Sequence, residues 1–353
     1  MESLPCGEKS RGNPKNKRLY KCGVLTGFQM ETAPKEITSM RKPRLKNEGE
    51  GFYHVTSRCV DRSFRFADAD KTRIVDQMKR MGRFCGVEIN TYTVMSNHFH
   101  ILLHVLEPQE LTDDELVERI ASLYGTPKAE ELRCVWSVWR KAGDPASLEQ
   151  LEAGRQSYLR RMGDLSVYMK ELKQWISRVY NKEHNRKGTL WEERFWSCLL
   201  EDSAETLTSV ASYIDRNAIR AGIVERAEDY RWCGYAEAHA GHTAAQRTLA
   251  TLFRKSEEMA WDETKERYGW LLRPMTDTAV AVTDTANGRR ERRNPVFTRA
   301  LAMGSQGFIL ETYTRFPKVF MTKRHHMHPY VTDQRAKNGA LCASHRPREA
   351  VIG

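Results

Sequence analysis

The stretch VEINTYTVMSNHFHILLHV, residues 87–105, decides the fold that the sequence predicts. Residues 87–94 are rich in β-branched and aromatic side chains, and residues 99–105 are mostly apolar, as strands of a buried sheet are. The polar pair Ser96-Asn97 between them is typical of a tight turn. The stretch therefore predicts two strands joined as a hairpin.

The residues on either side of this hairpin supply the other elements of a small sheet. FYHVTSR (52–58) alternates as a strand does, and Asp68–Phe84 repeats apolar residues at helical spacing until Gly86 stops the helix. After the hairpin, residues 164–183 have the pattern of an amphipathic helix, and Leu190–Leu200 that of a fourth strand. The order β-α-β-β-α-β predicts an α+β fold, a ferredoxin-like antiparallel sheet with helices on one face.

The remaining segments are predicted to be additions to this sheet. Residues 1–48 are basic, contain few apolar residues and show no period, which indicates a flexible basic arm. Residues 49–240 form the main domain, with a helical insertion at about 107–162 that carries no chemical motif. Residues 241–353 are predicted to be a basic, partly helical C-terminal extension.

The composition indicates which partners to expect. The chain has 57 lysines and arginines against 46 acidic residues, a net charge of +11, which favours a polyanionic partner. It lacks a run of about 18 apolar residues, so we expect neither a membrane span nor a signal peptide. None of the eight cysteines forms a Cys-x-x-Cys pair, which argues against a zinc ribbon or a disulfide framework and favours reduced thiols in the cytoplasm.

A His-x-His pair in the hairpin is the first candidate functional motif. Alternate residues of a strand share a face, so His98, His100 and His104 are expected to point away from the core that Phe99 and Ile101 enter. Two imidazoles at this spacing can ligate one divalent metal ion. Taken alone, the motif also fits a pair of hydrogen-bonded histidines on a sheet.

A tyrosine on a later helix is the second candidate. Asp202 and Glu205 form a capping-box pattern that opens a helix running to about Ala221. At 3.6 residues per turn, three polar residues of this helix lie on one flank, beside its buried stripe. These residues are Tyr213, Asn217 and Arg220.

The chemistry that combines both motifs is nucleophilic attack on a phosphodiester. A tyrosine oxygen can form a covalent phosphotyrosine, and a metal ion can neutralise charge on the phosphate in the transition state. Because the phosphotyrosine conserves the phosphodiester linkage, rejoining requires no ATP. The chain has no GxxxxGK[ST] loop and no dinucleotide fingerprint, so no nucleotide cofactor is expected.

Four motifs in this order resemble the single-tyrosine HUH transposases, in particular the REP-associated tyrosine transposases of bacteria. They are FYHVTSR (52–58), MSNHFHILLH (95–104), LKQWISRVYNKEHNRKGTLWEERFWSCLLE (172–201) and YIDRNAIRAGIV (213–224). The resemblance covers residues 50 to 240. The family usually has Asn-Pro-Val-Arg-Ala-Gly where this chain has Asn217-Ala218-Ile219-Arg220-Ala221-Gly222, a departure that spares every expected ligand.

The resemblance implies a role for each motif. It implies a divalent ion, Mg²⁺ or Mn²⁺, held by His98, His100 and Asn217, and Tyr213 as the nucleophile that forms a 5′-phosphotyrosine. The implied substrate is single-stranded or hairpin DNA at repeat sequences, in the bacterial cytoplasm and associated with the nucleoid. The basic residues predicted to contact DNA are Lys170, Lys173, Arg178, Lys182 and Arg220.

Several alternatives remain open at this point. A DNA-binding protein of the same fold that has lost cleavage would share every motif, and both a monomer and a homodimer fit the sequence. A histidine-triad nucleotide hydrolase is disfavoured, because Leu102 occupies the position that its third histidine requires. Tyr180 could reach the same site, although its helix position favours the core, and His54 and His104 are expected to have structural or hydrogen-bonding roles.

Overall fold

The computed structural model describes residues 44–255, 259–273, 297, 300–320, 327–331 and 340–345, all within one compact unit, Lys42–Gly353. The predicted basic arm lies outside these residues except for its last five positions. In the described part of the chain, no helix combines the length and apolar character needed to cross a bilayer.

The described elements are seven strands, twelve α-helices and two short 3-10 helices, Val60–Arg62 and Ala227–Asp229. The strands are β1 (Gly51–Arg58), β2 (Val87–Val94), β3 (His98–Val105), β4 (Trp196–Leu200), β5 (Ala300–Gly304), β6 (Met327–Val331) and β7 (Ala340–His345). The helices are α1 (Asp68–Cys85), α2 (Asp113–Tyr124), α3 (Thr126–Ala142), α4 (Pro145–Leu159), α5 (Leu165–Glu183), α6 (Ala204–Asp215), α7 (Asn217–Arg220), α8 (Gly234–His239), α9 (Thr243–Thr251), α10 (Trp261–Leu272), α11 (Gln306–Arg315) and α12 (Pro317–Phe320).

The strands form one sheet in the order β2-β3-β1-β4-β5-β7-β6. Strand β1 is antiparallel to both β3 and β4, and β2 is antiparallel to β3. The pair β4 and β5 is parallel. The predicted α+β class is confirmed, and the first four strands come from the segments that the sequence predicted, with α1 and α5 as the connecting helices.

Helices cover both faces of the sheet, so the prediction of helices on one face was wrong. On one face, α1 and α5 pack on Phe99, Ile101 and Leu103. On the other, residues of α6, α8 and α10 form a second core cluster with Phe52 and Leu102. The physical reason is that every residue of β3 is buried, and such a strand requires apolar cover on both sides.

Three boundaries differ from the predicted ones. The fourth strand begins at Trp196, so residues 190–195 are loop. The helix expected to run from residue 202 to Ala221 is broken at Arg216 into α6 and α7. The C-terminal extension contributes β5, β6 and β7 to the sheet, which the sequence analysis did not predict.

Candidate active site

The histidines of β1 and β3 meet on the face of the sheet that α6 covers. In the antiparallel register Thr56 lies opposite His100 and His54 opposite Leu102, so His54 and His100 are diagonal neighbours on one face. The two rings are stacked with centroids 5.1 Å apart, and Nε2 of His54 lies 2.9 Å from Nδ1 of His100. The structure thus places His54, which the sequence analysis gave a supporting role, in direct contact with the His-x-His pair.

His98, the first histidine of the pair, is held by its neighbour in the turn. Nδ1 of His98 lies 2.5 Å from Oδ1 of Asn97, and Nδ2 of Asn97 donates to the carbonyl of Arg62 at 3.0 Å. The ring centroids of His98 and His100 are 5.2 Å apart. Both imidazoles of the pair are therefore fixed through Nδ1, and their Nε2 atoms are the candidate metal ligands.

Burial keeps the histidines neutral. Desolvation, with a smaller effect of the Arg220 charge, lowers the pKa of His54 to about 3, although a backbone contact with Phe297 acts in the opposite direction. Desolvation also lowers the pKa of His100 well below its ordinary value, and His54 and His98 add to this effect. Neutral imidazole is the form that binds metal ions, so these pKa shifts suit a metal site.

Tyr213, near the end of α6, lies against the histidines. Its ring centroid is 5.9 Å from that of His100 and 6.0 Å from that of His54. The ring of Phe297 also stacks on it, with the ring centroids 4.3 Å apart and the ring planes inclined by 18°. Only 6% of Tyr213 is exposed. The structure therefore brings together the two motifs that lie more than 100 residues apart in the sequence.

The helix breaks at Arg216, and Asn217 and Arg220 lie in the short helix α7 that follows. Arg220 turns back over the tyrosine, with its Cζ 3.7 Å from the ring centroid and Nη2 donating to the Tyr213 carbonyl at 2.8 Å. The amide of Asn217 donates to the carbonyls of Tyr213 at 3.2 Å and Ile214 at 3.0 Å. Arg220 thus lies at the candidate nucleophile, whereas the Asn217 nitrogen stabilises the end of α6.

The two histidines fit a metal ion as a pair of nitrogen ligands. Metal-binding histidines are usually oriented by a hydrogen bond to their second ring nitrogen, and Asn97 and His54 provide such bonds here. In the described ranges, the one group of three carboxylate or imidazole donors within mutual reach is Asp70 with Glu183 and His184, elsewhere in the fold. An ion at the pair would take its remaining ligands from water, phosphate or Asn217, whose role as a ligand stays a prediction.

The basic residues of α5 lie on the opposite side of the sheet from Tyr213. Lys170, Arg178 and Lys182 are exposed there. Lys173 is buried, and its Nζ donates to the Glu193 carbonyl at 2.8 Å. Of the five residues predicted to contact DNA, the structure brings Arg220 alone to the tyrosine.

Two aromatic residues of the site were not assigned to it from the sequence, although Trp196 was considered as a surface for base stacking. Trp196 packs edge-on against His54 at 5.3 Å, and Phe297 covers Tyr213. Alternation along β4 gives a signal for the orientation of Trp196, whereas nothing in the sequence around Phe297 indicates its position. His104 and Tyr180 do not join the site. Nε2 of His104 contacts Glu50 at 2.5 Å, and the Tyr180 hydroxyl donates to the Arg65 carbonyl at 3.3 Å.

Comparison with known proteins gives one similar structure. No family model matches the chain, and no curated protein does. Among solved structures, the chain is similar to the REP-associated tyrosine transposase bound to a REP hairpin, with 14% identity and a TM-score of 0.37. The match covers 57% of this chain and 87% of the transposase chain.

Proposed function

We propose that this protein is a single-stranded DNA transposase or endonuclease that cleaves and rejoins DNA through Tyr213, assisted by a divalent ion at His98 and His100. The observation that carries the proposal is the contact of the Tyr213 ring with His100, beneath the Arg220 guanidinium. The four sequence motifs that resemble single-tyrosine HUH transposases support it. The strand order β2-β3-β1-β4, which we propose to be that of a ferredoxin-like core, also supports the proposal.

The proposed cleavage step is a displacement at phosphorus. The phenol oxygen of Tyr213 forms a bond to the scissile phosphorus as it loses its proton to solvent, and the bond from phosphorus to the 3′ oxygen breaks. The products are a 5′-phosphotyrosine and a strand that takes up one proton as a free 3′-hydroxyl. When bound, Mg²⁺ or Mn²⁺ would neutralise charge on the phosphate. Attack of a 3′-hydroxyl on the phosphotyrosine reverses the step and rejoins the DNA.

The side chains around the tyrosine have separate tasks in this proposal. His54 orients His100 through the bond between their ring nitrogens. Arg220 holds a positive charge beside the nucleophile, where it stabilises the negative oxygens of the reacting phosphate. Trp196 and Phe297 pack against the histidine and the tyrosine and limit the access of water.

The substrate proposed for this site is single-stranded or hairpin DNA, as the resemblance implies. The net charge of +11 favours such a polyanion, and binding should weaken as salt increases. We propose a cytoplasmic, nucleoid-associated protein, and both a monomer and a homodimer are compatible with the site.

The direct test is a search for a covalent protein–DNA adduct. Wild-type protein is incubated with labelled hairpin DNA and Mg²⁺ or Mn²⁺, and the products are separated under denaturing conditions. Tyr213→Phe should abolish the adduct without unfolding the protein. Tyr180→Phe is the matched control, because the Tyr180 hydroxyl bonds to the Arg65 carbonyl away from the histidines, and it should retain the adduct.

Mass spectrometry of the trapped adduct identifies the attached residue. A nucleotide on a tyrosine other than Tyr213, or strong cleavage by Tyr213→Phe, would refute the assignment. DNA binding with no adduct from the wild-type protein would instead support a binding protein that has lost cleavage.

A further inference from the structure

A groove of about 550 Å³ runs along the outer edge of β2, away from Tyr213. Strand β2 is the last strand on its side of the described sheet, and its outer edge is bridged at Thr93 by Cys233. The end of α1, Arg119 of α2 and the beginning of α9 form the other walls. The volume lies in the range of pockets that hold small organic ligands, roughly 300–1,000 Å³.

Asn90 lines the groove and has an unsatisfied side chain. It lies at a β-bulge, because Ile89 and Thr91 pair with the adjacent residues Leu103 and Leu102 and leave Asn90 outside the register. Asn90 is 3% exposed, and its Oδ1 has no hydrogen-bond partner within the described ranges. Buried amide groups are nearly always hydrogen-bonded, and this unsatisfied one belongs to a residue that lines the groove.

The N-terminus of α9 opens into the same groove. Thr243, Ala244 and Ala245 form its first turn, and all three line the groove. His242 at the N-cap position makes no capping hydrogen bond. The backbone N–H groups of a first turn have no partners inside the helix and carry a partial positive charge, so they bind anions such as phosphate.

Two arginines add positive charge to the groove. Arg83 is exposed on α1 and forms no ion pair with any residue that the structure describes. Arg119 donates to the amide oxygen of Gln109 at 3.2 Å, and its charge also interacts with the Glu115 carboxylate. Arg83 is therefore the guanidinium group that is available to an anionic ligand.

The carboxylates of the groove are already engaged. Glu237 forms an ion pair with Lys79. Glu88 lies 3.3 Å from Nδ1 of His104. Because the groove contains Lys79, Arg83 and Arg119 against the two carboxylates, its net charge favours an anion.

We propose that this groove binds one nucleoside phosphate unit, with the phosphate at the first turn of α9 and Arg83 and the base against Asn90. An asparagine amide offers one acceptor and two donors, which match the hydrogen-bonding edge of a base. The ligand is either an unpaired nucleotide of a DNA strand or a free nucleotide. Thr93 pairs with His100, so Asn90 lies about 10 Å along β2 from the level of the histidines.

The test measures binding, and it uses the full chain carrying Tyr213→Phe so that cleavage plays no part. Calorimetry is carried out with a deoxynucleoside 5′-monophosphate, inorganic phosphate and a short single-stranded oligonucleotide. Arg83→Gln and Asn90→Ala should each weaken nucleotide binding by about fivefold, as expected for the loss of one hydrogen-bonded contact to the ligand. Lys141→Gln, which removes an exposed positive charge from α3, is the control and should have little effect.

A second measurement separates a binding role of Asn90 from a structural one. Because its Oδ1 lacks a partner, Asn90→Ala should leave the thermal midpoint unchanged or raise it while it weakens binding. Loss of binding together with a lower midpoint would mean that Asn90 only supports the bulge, and would overturn its assignment.

The three ligands distinguish the remaining outcomes. If Asn90→Ala weakens binding of the monophosphate, the groove is a site for free nucleotides. If it weakens binding of the oligonucleotide alone, the groove is a site for a DNA strand. Inorganic phosphate that binds as tightly as the monophosphate would overturn the contact with a base. Variants that bind every ligand as Lys141→Gln does would overturn the site as a whole. These results do not depend on whether Tyr213 forms an adduct.

Discussion

Nε2 of His54 on β1 lies 2.9 Å from Nδ1 of His100 on β3, and both rings are buried. If Nε2 of His100 ligates an ion, its Nδ1 must carry the ring proton and donate it to His54. His54 would then select the tautomer and fix the orientation of the ligand, as the hydrogen-bonding partners of metal-binding histidines do. The antiparallel register of two strands, and not their proximity in sequence, creates this arrangement.

His54→Leu is therefore expected to weaken metal binding. The leucine fills similar space but cannot accept the proton of His100, and loss of such a partner typically lowers metal affinity by about 10- to 100-fold. Mn²⁺ affinity can be measured from the electron paramagnetic resonance signal of the free ion. His104→Leu is the control, because His104 lies on β3 but contacts Glu50 and not His100, and this variant should bind Mn²⁺ as the wild type does. Equal affinities for all three proteins would show that His54 does not support the metal site.

Arg220→Gln is expected to slow formation of the covalent adduct. The guanidinium lies 3.7 Å from the centre of the Tyr213 ring, and removal of one group that stabilises transition-state charge typically costs about 100-fold in rate. Single-turnover kinetics of adduct formation measure the effect. Arg220→Lys keeps the charge but not the planar stacking, and should be intermediate. Arg226→Gln, at an exposed arginine, is the control, and an unchanged rate for Arg220→Gln would exclude its role at the phosphate.

The parts of the fold that depend on local sequence could be predicted closely. The bounds of β2 match those expected, and β3 begins one residue earlier than expected. The prediction was close because strand composition and a polar turn are signals that lie within a few consecutive residues. The shared face of His98 and His100 follows from the two-residue period of a strand. The contact of Tyr213 with His100 joins segments more than 100 residues apart, and motif order suggested it where periodicity could not.

The parts that depend on distant packing could not be predicted. Strand β5 is a run of five small or apolar residues, and it becomes a strand because β4 offers it a parallel edge. Lys173 was assigned to the polar side of its helix, but its Nζ lies 5.0 Å from the centroid of the Trp191 ring, which belongs to the loop before β4. Phe297 reaches the site from a segment whose sequence carries no motif.

Gly304→Ala tests whether the C-terminal strands are part of the folded core. A Cβ at this position would lie 2.6 Å from Cβ of Glu201 and 2.7 Å from the ring of Phe308, closer than real contacts allow. Overpacking of this kind typically destabilises a protein by about 1–3 kcal/mol, which urea denaturation can measure. Gly307→Ala, in helix α11, is the matched control, because its Cβ would meet nothing closer than 3.8 Å. Identical unfolding curves for the two variants would indicate that β5 does not contribute to the cooperative unit.

Lys173→Met should change how stability depends on pH. Burial lowers the pKa of Lys173 from 10.5 to about 8, so between these values the unfolded chain binds a proton that the folded protein does not. Stability must then rise with pH between about 8 and 10.5, and below about 8 Lys173 adds no further pH dependence because both states carry the proton. From pH 7 to pH 10 the free energy of unfolding of the wild type should gain about 2 kcal/mol relative to Lys173→Met. Urea denaturation of both proteins at the two pH values measures this difference, since other titrating groups affect both equally.

Lys170→Met, at an exposed lysine of the same helix, should leave the pH dependence of the wild type intact. The opposite outcome is a free energy of unfolding of the wild type, relative to Lys173→Met, that stays constant or falls as pH rises. That result would show that the Lys173 ammonium is well solvated and free to contact a phosphate.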